Sequence, residues 1–213
     1  MFTCRAILGT ALILAGVCNA QQVALNVDDS AQLIRNLLKD AHVSGSLGYS
    51  AFCMSASGRS PVIPHVGIPR REGSPAEVLQ SMFGNWATIR VTEEPNGLVR
   101  MVEADVPTDI LEIRIHHISF ADAEAGPISG PPLALMKILA APEVEAFMKE
   151  GDIRTTAFRI EGFYPRLPDI PGELYDVTLS EALDSVLRTF PGYWVYENCT
   201  TPEDTRSVNF RFY

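Results

Sequence analysis

Apolar residues recur along this chain in two alternating rhythms, a helical one and then a strand-like one. The clearest helical rhythm lies near the end, where Leu179, Ala182, Leu183, Val186 and Leu187 fall at i, i+3, i+4, i+7 and i+8, one apolar face of an amphipathic helix. Thr178 precedes it and Glu181 stands three residues on, the spacing at which two side chains close a reciprocal capping box. The same grammar occurs twice more. Ser74 with Glu77 introduces Pro75, Val78, Leu79, Met82 and Phe83, and Asp29 with Gln32 introduces Leu33, Ile34, Leu37 and Leu38.

The segment after each helix also repeats. After Gly84-Asn85, the stretches Trp86 to Glu93 and Leu98 to Ala104 read as strands around the turn Pro95-Asn96-Gly97, a hairpin. After Pro191-Gly192, Tyr193 to Cys199 and Ser207 to Tyr213 flank a polar turn in the same way. The first unit is looser: Gly45 and Gly48 surround Ser46-Leu47-Tyr49, and Ser55 to Gly73 reads as a long loop. Short strands, Val23 to Val27 and Leu174 to Val177, precede the first and last helices. Between the second and third units the pattern predicts a strand over Ile110 to Phe120, a Gly/Pro linker from Gly126 to Pro132, and a helix from about Leu133 that Pro142 breaks or restarts. A strand near Thr155 to Ile160 comes next, and Pro165, Pro168 and Pro171 mark an extended linker. The reading is an α+β fold of two or three small βαββ modules with an inserted strand-helix segment. Its expected boundaries are 1–20 (leader), 21–72, 73–125, 126–172 and 173–213. The helix starts lie at uneven intervals, so internal duplication and convergence on one helix-hairpin solution both account for the pattern.

The first twenty residues obey a different logic. Arg5 precedes the apolar run Ala6 to Val17, and Cys18-Asn19-Ala20 places small residues where a signal peptidase reads. Cleavage after Ala20 is expected, with a periplasmic or secreted destination. The alternatives are a buried N-terminal helix, and a lipoprotein leader at Ala15-Gly16-Val17-Cys18, which bulky Val17 disfavours. The leader holds one basic and no acidic residue, so its loss takes the formal charge from −9 to −10. A surface this acidic repels nucleic acid and anionic lipid, and no later segment is long and apolar enough to span a bilayer. Cys53 and Cys199 are the cysteines left. In an oxidising compartment they read as one disulfide, worth about 3–5 kcal/mol on the loop-entropy argument; two buried thiols are the alternative.

Candidate chemistry is sparse. His116-His117 is the one histidine pair, the others being His42 and His65, but neighbours on a strand face opposite ways and do not grip one metal. One in the core and one at the surface is expected. Ser44-Gly45-Ser46-Leu47-Gly48 is similar to a nucleophile elbow, yet serine stands where the first glycine belongs and the flanks lack a strand-to-helix turn; a turn closing the first helix is the plainer reading. Asp29 fits an N-cap, and Glu93-Glu94 a solvated strand end. No metalloprotease, phosphate-loop, calcium-loop or dinucleotide motif occurs, so no catalytic, metal or cofactor-binding residue is assigned and no cofactor is expected. Aromatics gather late, at Phe190, Tyr193, Trp194, Tyr196, Phe210, Phe212 and Tyr213. With Trp86 they form either an edge that recruits an extended partner strand or the core beneath the last helix.

The segment from Leu174 to Leu187, with Tyr193-Trp194-Val195-Tyr196 after a glycine-containing turn, resembles the secretin and TonB short N-terminal domain, and Ser74 to Val102 is similar without a clear leading strand. The resemblance covers about a third of the mature chain and rests on an apolar pattern. It implies a periplasmic βαββ module that makes protein contacts in envelope machinery. With no secretin ring or transporter barrel after Tyr213, it implies an adaptor or subunit rather than a channel or receptor. The expected function is therefore a non-enzymatic interaction or assembly module of the cell envelope with a protein partner. A motif-poor secreted hydrolase and a small-molecule binding or sensing protein are the competing readings. N-terminal sequencing of the protein recovered from the native host should begin at Gln21; a chain that still begins at Met1 overturns the export expectation.

Overall fold

The computed structural model describes residues 27–52, 66–70, 72–84, 86, 88–122, 126–127, 130–155, 169–170, 172–201 and 205–213. In chain order these form α1 (Val27–Asp40), β1 (Ser44–Phe52), α2 (Pro75–Met82), β2 (Ile89–Glu93) and β3 (Leu98–Glu103), then a 3-10 turn (Asp109–Glu112). Next come β4 (Arg114–Ser119), β5 (Ala121–Asp122), β6 (Gly126–Pro127), α3 (Pro131–Leu139), α4 (Pro142–Glu150) and β7 (Arg154–Thr155), and finally β8 (Glu173–Thr178), α5 (Leu179–Leu187), β9 (Tyr193–Thr200) and β10 (Arg206–Phe212). The fold class is α+β, as the patterning implies.

The local signals account for most helix ends. Both capping boxes form: Ser74 N–H donates to Glu77 Oε2 at 2.8 Å and Thr178 N–H to Glu181 Oε2 at 2.7 Å, each answered by the hydroxyl accepting from the glutamate N–H. Pro142 restarts rather than kinks the chain, since α4 opens with it, where a missing N–H costs nothing. The β2–β3 hairpin closes through Gly97 at φ +80, a conformation that suits glycine. Helix α1 begins at Val27, so Asp29 lies within it and is not its N-cap. Residues 23–26, most of the expected leading strand, lie outside the described residues, as do 156–168 of the expected strand and linker.

Six strands make one sheet in the order β2-β3-β1-β9-β10-β7. Here β1 runs parallel to both β3 and β9, whereas β2–β3 and β9–β10 are antiparallel hairpins. The expected units thus share a sheet. Strand β8, which leads into α5, does not join it but pairs antiparallel with β4 as a separate ribbon. The helix-hairpin grammar is local, while the partner of the leading strand is chosen by long-range packing.

Alternation along β9 divides the core into two layers. Tyr193 and Val195 face α1 and α2 with Ile34, Leu38, Leu79, Met82 and Phe83. Trp194 and Tyr196 face the other side, with Leu183 and Val186 of α5, Leu135 and Ile138 of α3, and Ile115 and Ile118 of the ribbon. Residues 193 to 199 are therefore all buried, the signature of a strand covered on both faces.

Two expectations are corrected. Ser44 to Phe52 is not a turn after α1 but the central strand β1. Its small residues serve close approach: a Cβ on Gly45 would stand 2.3 Å from the Val99 carbonyl oxygen. The expected strand from Ile110 begins as a 3-10 turn, because Ile110 and Leu111 are adjacent and both buried, which an alternating strand facing one core does not allow.

Candidate functional site

The aromatic residues nominated as an edge are mostly internal braces. Tyr193, Trp194 and Tyr196 lie on β9, flanked by β1 on one side and β10 on the other, and Phe210 lies opposite Tyr196 on β10; all four are buried. The Tyr193 hydroxyl donates to the Ala31 carbonyl at 3.0 Å, Trp194 Nε1 to Asp184 Oδ1 at 2.8 Å and the Tyr196 hydroxyl to the Pro107 carbonyl at 2.8 Å. Phe212 and Tyr213 are half-buried, Tyr213 stacking on Tyr193 at 5.2 Å. Trp86 is half-buried in the turn before β2, its N–H donating to the Phe83 carbonyl at 2.7 Å. Of the two readings of these aromatics, the core one describes Tyr193, Trp194, Tyr196 and Phe210, which the burial of β9 and β10 draws inside.

The free flank of the β2–β3 hairpin is occupied as well. The Gln80 amide donates to the Ile89 carbonyl at 3.0 Å and accepts from Val91 N–H at 2.8 Å, copying the pair of bonds an added strand would make. The β4–β8 ribbon is treated alike. His116 N–H donates to Glu143 Oε1 at 3.2 Å, and Arg114 Nη1 donates to the Asp176 carbonyl at 2.5 Å. Side chains that satisfy outward backbone groups blunt an edge against strand addition.

Both histidines of the His116-His117 pair are exposed, which corrects the one-in, one-out expectation. Asp176 opposite them adopts φ +50, and the ladder skips from Ile115–Val177 to His117–Tyr175, so the regular alternation fails there. His116 Nδ1 lies 3.3 Å from Asp176, and His117, stacked on Tyr175 at 4.8 Å, has Nε2 at 3.6 Å from Glu173. Among the described residues no three His, Cys, Asp or Glu side chains gather as a metal site. Ser46, at the centre of the elbow-like run, sits inside β1, buried, its hydroxyl accepting from Arg100 Nη1 at 3.1 Å. It lies mid-strand and not at the strand-to-helix turn that an elbow serine occupies.

The strongest polar constellation is not legible in the sequence. Arg100 on β3 pairs through both terminal guanidinium nitrogens with the Asp184 carboxylate of α5, reaches Glu94 at 3.0 Å through Nε, and lies over the Trp194 ring at 5.7 Å. Burial disfavours its charge, but hydrogen bonds to Asp184 and Glu94 outweigh that and raise its pKa. Asp184 lies 84 residues away in the chain, with no spacing rule to link the two. A second fork joins Arg206 to both Asp109 oxygens at 2.6 Å, and this pair holds the Asp109 carboxyl below its usual range. The arginines bind elements together rather than face a cleft.

On the opposite face of β9, Glu197 is buried, with the Tyr49 hydroxyl donating to it at 3.2 Å. Burial raises its pKa, against the opposing pull of Arg211, Tyr49 and Asn209. Burial and the same carboxylate push the Tyr49 phenol up. Cys199, two residues on, is buried and paired in register with Ala51; Cys53 lies outside the described residues.

Among the described residues, three open hollows lie around α1 and α2. The segment carrying Ile68 is tied down twice, by Gly67 N–H to the Met82 carbonyl at 2.7 Å and by Arg70 N–H to Ser81 Oγ at 2.9 Å. Ile68 itself is 92% exposed. It borders a hollow of about 600 Å³ between the two helices, lined by Leu37, Ala41, Pro69, Pro75 and Val78. Arg70 borders both this hollow and a larger one beside it. Comparison of the chain with protein-family models, with curated proteins and with solved structures finds no match.

Arg100→Met is expected to destabilise the protein by about 3–5 kcal/mol, because it strands the Asp184 charge. Arg100→Met with Asp184→Leu should cost much less than the two single changes added, as read from chemical denaturation in a double-mutant cycle; additive losses would show that the pair is not coupled. Glu197 gives a pH signature of the opposite sign to Asp109. Its folded pKa is raised, so its contribution is whole below the unfolded carboxyl pKa and is lost as pH rises through the raised folded value. The stability of Glu197→Gln relative to the natural chain should therefore climb as the pH rises above about 4; a pH-independent difference would refute that.

Proposed function

We propose that this chain is a non-enzymatic interaction module of the cell envelope, and that it meets its protein partner through the α1–α2 face around Ile68. The observation that carries this reading is Ile68 itself, a large aliphatic side chain 92% exposed on a backbone anchored at both Gly67 and Arg70. An apolar group held out in this way has lost its freedom before binding, which lowers the cost of docking it. The neighbouring hollow of Leu37, Ala41, Pro75 and Val78 offers a seat for an apolar side chain in return. Arg70 and Asp40 both border it, so the rim carries a charge of each sign. The partner is thus a protein segment with an aliphatic or aromatic anchor flanked by polar residues.

The envelope assignment rests on the sequence: the leader ending at Ala20, and the similarity of Leu174 to Tyr196 to the secretin and TonB short N-terminal domain. We extend it to a disulfide between Cys53 and Cys199. Parallel register puts Cys199 beside Ala51, and Cys53 comes two residues later, so the bond would tie neighbouring strands. Mass spectrometry before and after reduction reads it directly.

Carrying a photo-crosslinker at position 68, the exported protein should capture one envelope protein in its native host. Ile68→Asp should cut capture at a crosslinker placed instead at Val78 by at least tenfold, with an unchanged circular dichroism spectrum. Equal capture by Ile68→Asp would remove this face from the interaction.

A further inference from the structure

On the other flank of α1 lies a second hollow, of about 640 Å³, between the helix and the Pro191-Gly192 turn. Gln32, Arg35, Asn36 and Lys39 fall at i, i+3, i+4 and i+7 and line it as one stripe. His42, which takes φ +55 in the turn after the helix, and Ser44 at the start of β1 complete that side. Among the described residues no carboxylate lines this hollow, although acidic residues outnumber basic ones 26 to 17 in the chain.

The hydrogen bonds already made there leave several donors beside the space, together with the Gln32 Oε1 acceptor. Gln32 Nε2 donates to Asn36 Oδ1 at 2.8 Å, which uses the Asn36 acceptor and leaves its NH₂ group available. Gly192 N–H donates to Ser44 Oγ at 3.3 Å, so the serine proton is still to be given. Gly192 borders the hollow, and a Cβ there would come within 2.2 Å of the Tyr213 backbone oxygen, so close approach of the end of β10 requires glycine. Arg35 and Lys39 stand one helical turn apart with no carboxylate of the lining between them. Elsewhere Arg100 and Arg206 are each locked to carboxylates; here the cations border a cavity.

We propose that this hollow binds a small molecule bearing a phosphate group. A guanidinium and an ammonium bordering one hollow with neutral N–H and O–H donors suit a tetrahedral dianion, which accepts several bonds at once. The hollow lies within the size range of small-ligand sites, leaving room for an organic body beside the phosphate. This is a property of the flank away from Ile68 and does not depend on the protein-docking reading.

The test is a nitrogen-15 NMR titration of the full mature chain with inorganic phosphate, glucose 6-phosphate and glucose. Saturable shifts at Gln32, Asn36, Lys39, Ser44 and Gly192 are expected with the two phosphate probes and not with glucose. Arg35→Gln with Lys39→Gln should weaken binding at least tenfold, and Lys149→Gln on α4 should leave it unchanged. Asn36→Asp, which keeps both cations but sets a carboxylate among the donors, should weaken binding as well, and serves should the double variant fail to fold. Shifts that do not saturate, or that persist in these variants, overturn the proposal. So would sedimentation with phosphatidylglycerol vesicles that depends on Arg35 and Lys39 without any response to the soluble esters, which would make a lipid headgroup the phosphate source.

Discussion

Burial of β9 on both faces is the constraint on which the rest of this structure depends. A strand covered on both sides cannot keep a polar face, so Tyr193 to Cys199 must find packing or hydrogen-bond partners on each side. The two helical layers supply it, α1 and α2 on one face and α3 and α5 on the other. The polar atoms this brings inside are matched one by one: Tyr193 with Ala31, Trp194 with Asp184, Tyr196 with Pro107, Glu197 with Tyr49. Three of these bonds reach from β9 to a distant part of the chain, so the strand that completes the core also ties early and late segments together.

The arginine forks extend the same logic. Arg100 joins β3 to α5 and Arg206 joins β10 to the 3-10 turn, so each spans elements that hydrophobic contact alone would leave free to slide. A buried ion pair adds little net stability over an apolar pair of equal volume, but it is costly to break halfway, which favours one register over its neighbours. The outer backbone of β2 is met in part by Gln80 of α2, and that of the ribbon by Glu143 and Arg114. Where these bonds form, the edges are poorly suited to strand addition.

The elements that can be read from the chain are those whose cause is local. Ser74 with Glu77 and Thr178 with Glu181 specify helix starts within four residues, and Pro95-Asn96-Gly97 specifies the β2–β3 turn within three. Strand β1 escapes such a reading because its glycines look like a turn, when close packing against Val99 is what requires them. Ile110 to Phe120 misleads because adjacent buried residues imitate a strand until the 3-10 turn is seen. The late aromatics are visible as a cluster, but an edge and a core leave the same pattern in one dimension. Neither Ile68 nor the Arg35–Lys39 hollow is legible along the chain, since exposure and concavity are relations between segments.

By itself, then, the sequence determined the α+β class, the caps of α2 and α5, the hairpins and the helical restart at Pro142, because each depends on side chains within a turn or two of one another. Only the tertiary structure decided that the units share one sheet, that β8 pairs with β4, that Arg100 meets Asp184, and which faces remain open. Those outcomes depend on which buried surfaces meet across the whole chain, and periodicity carries the direction of a side chain but not the identity of what it faces.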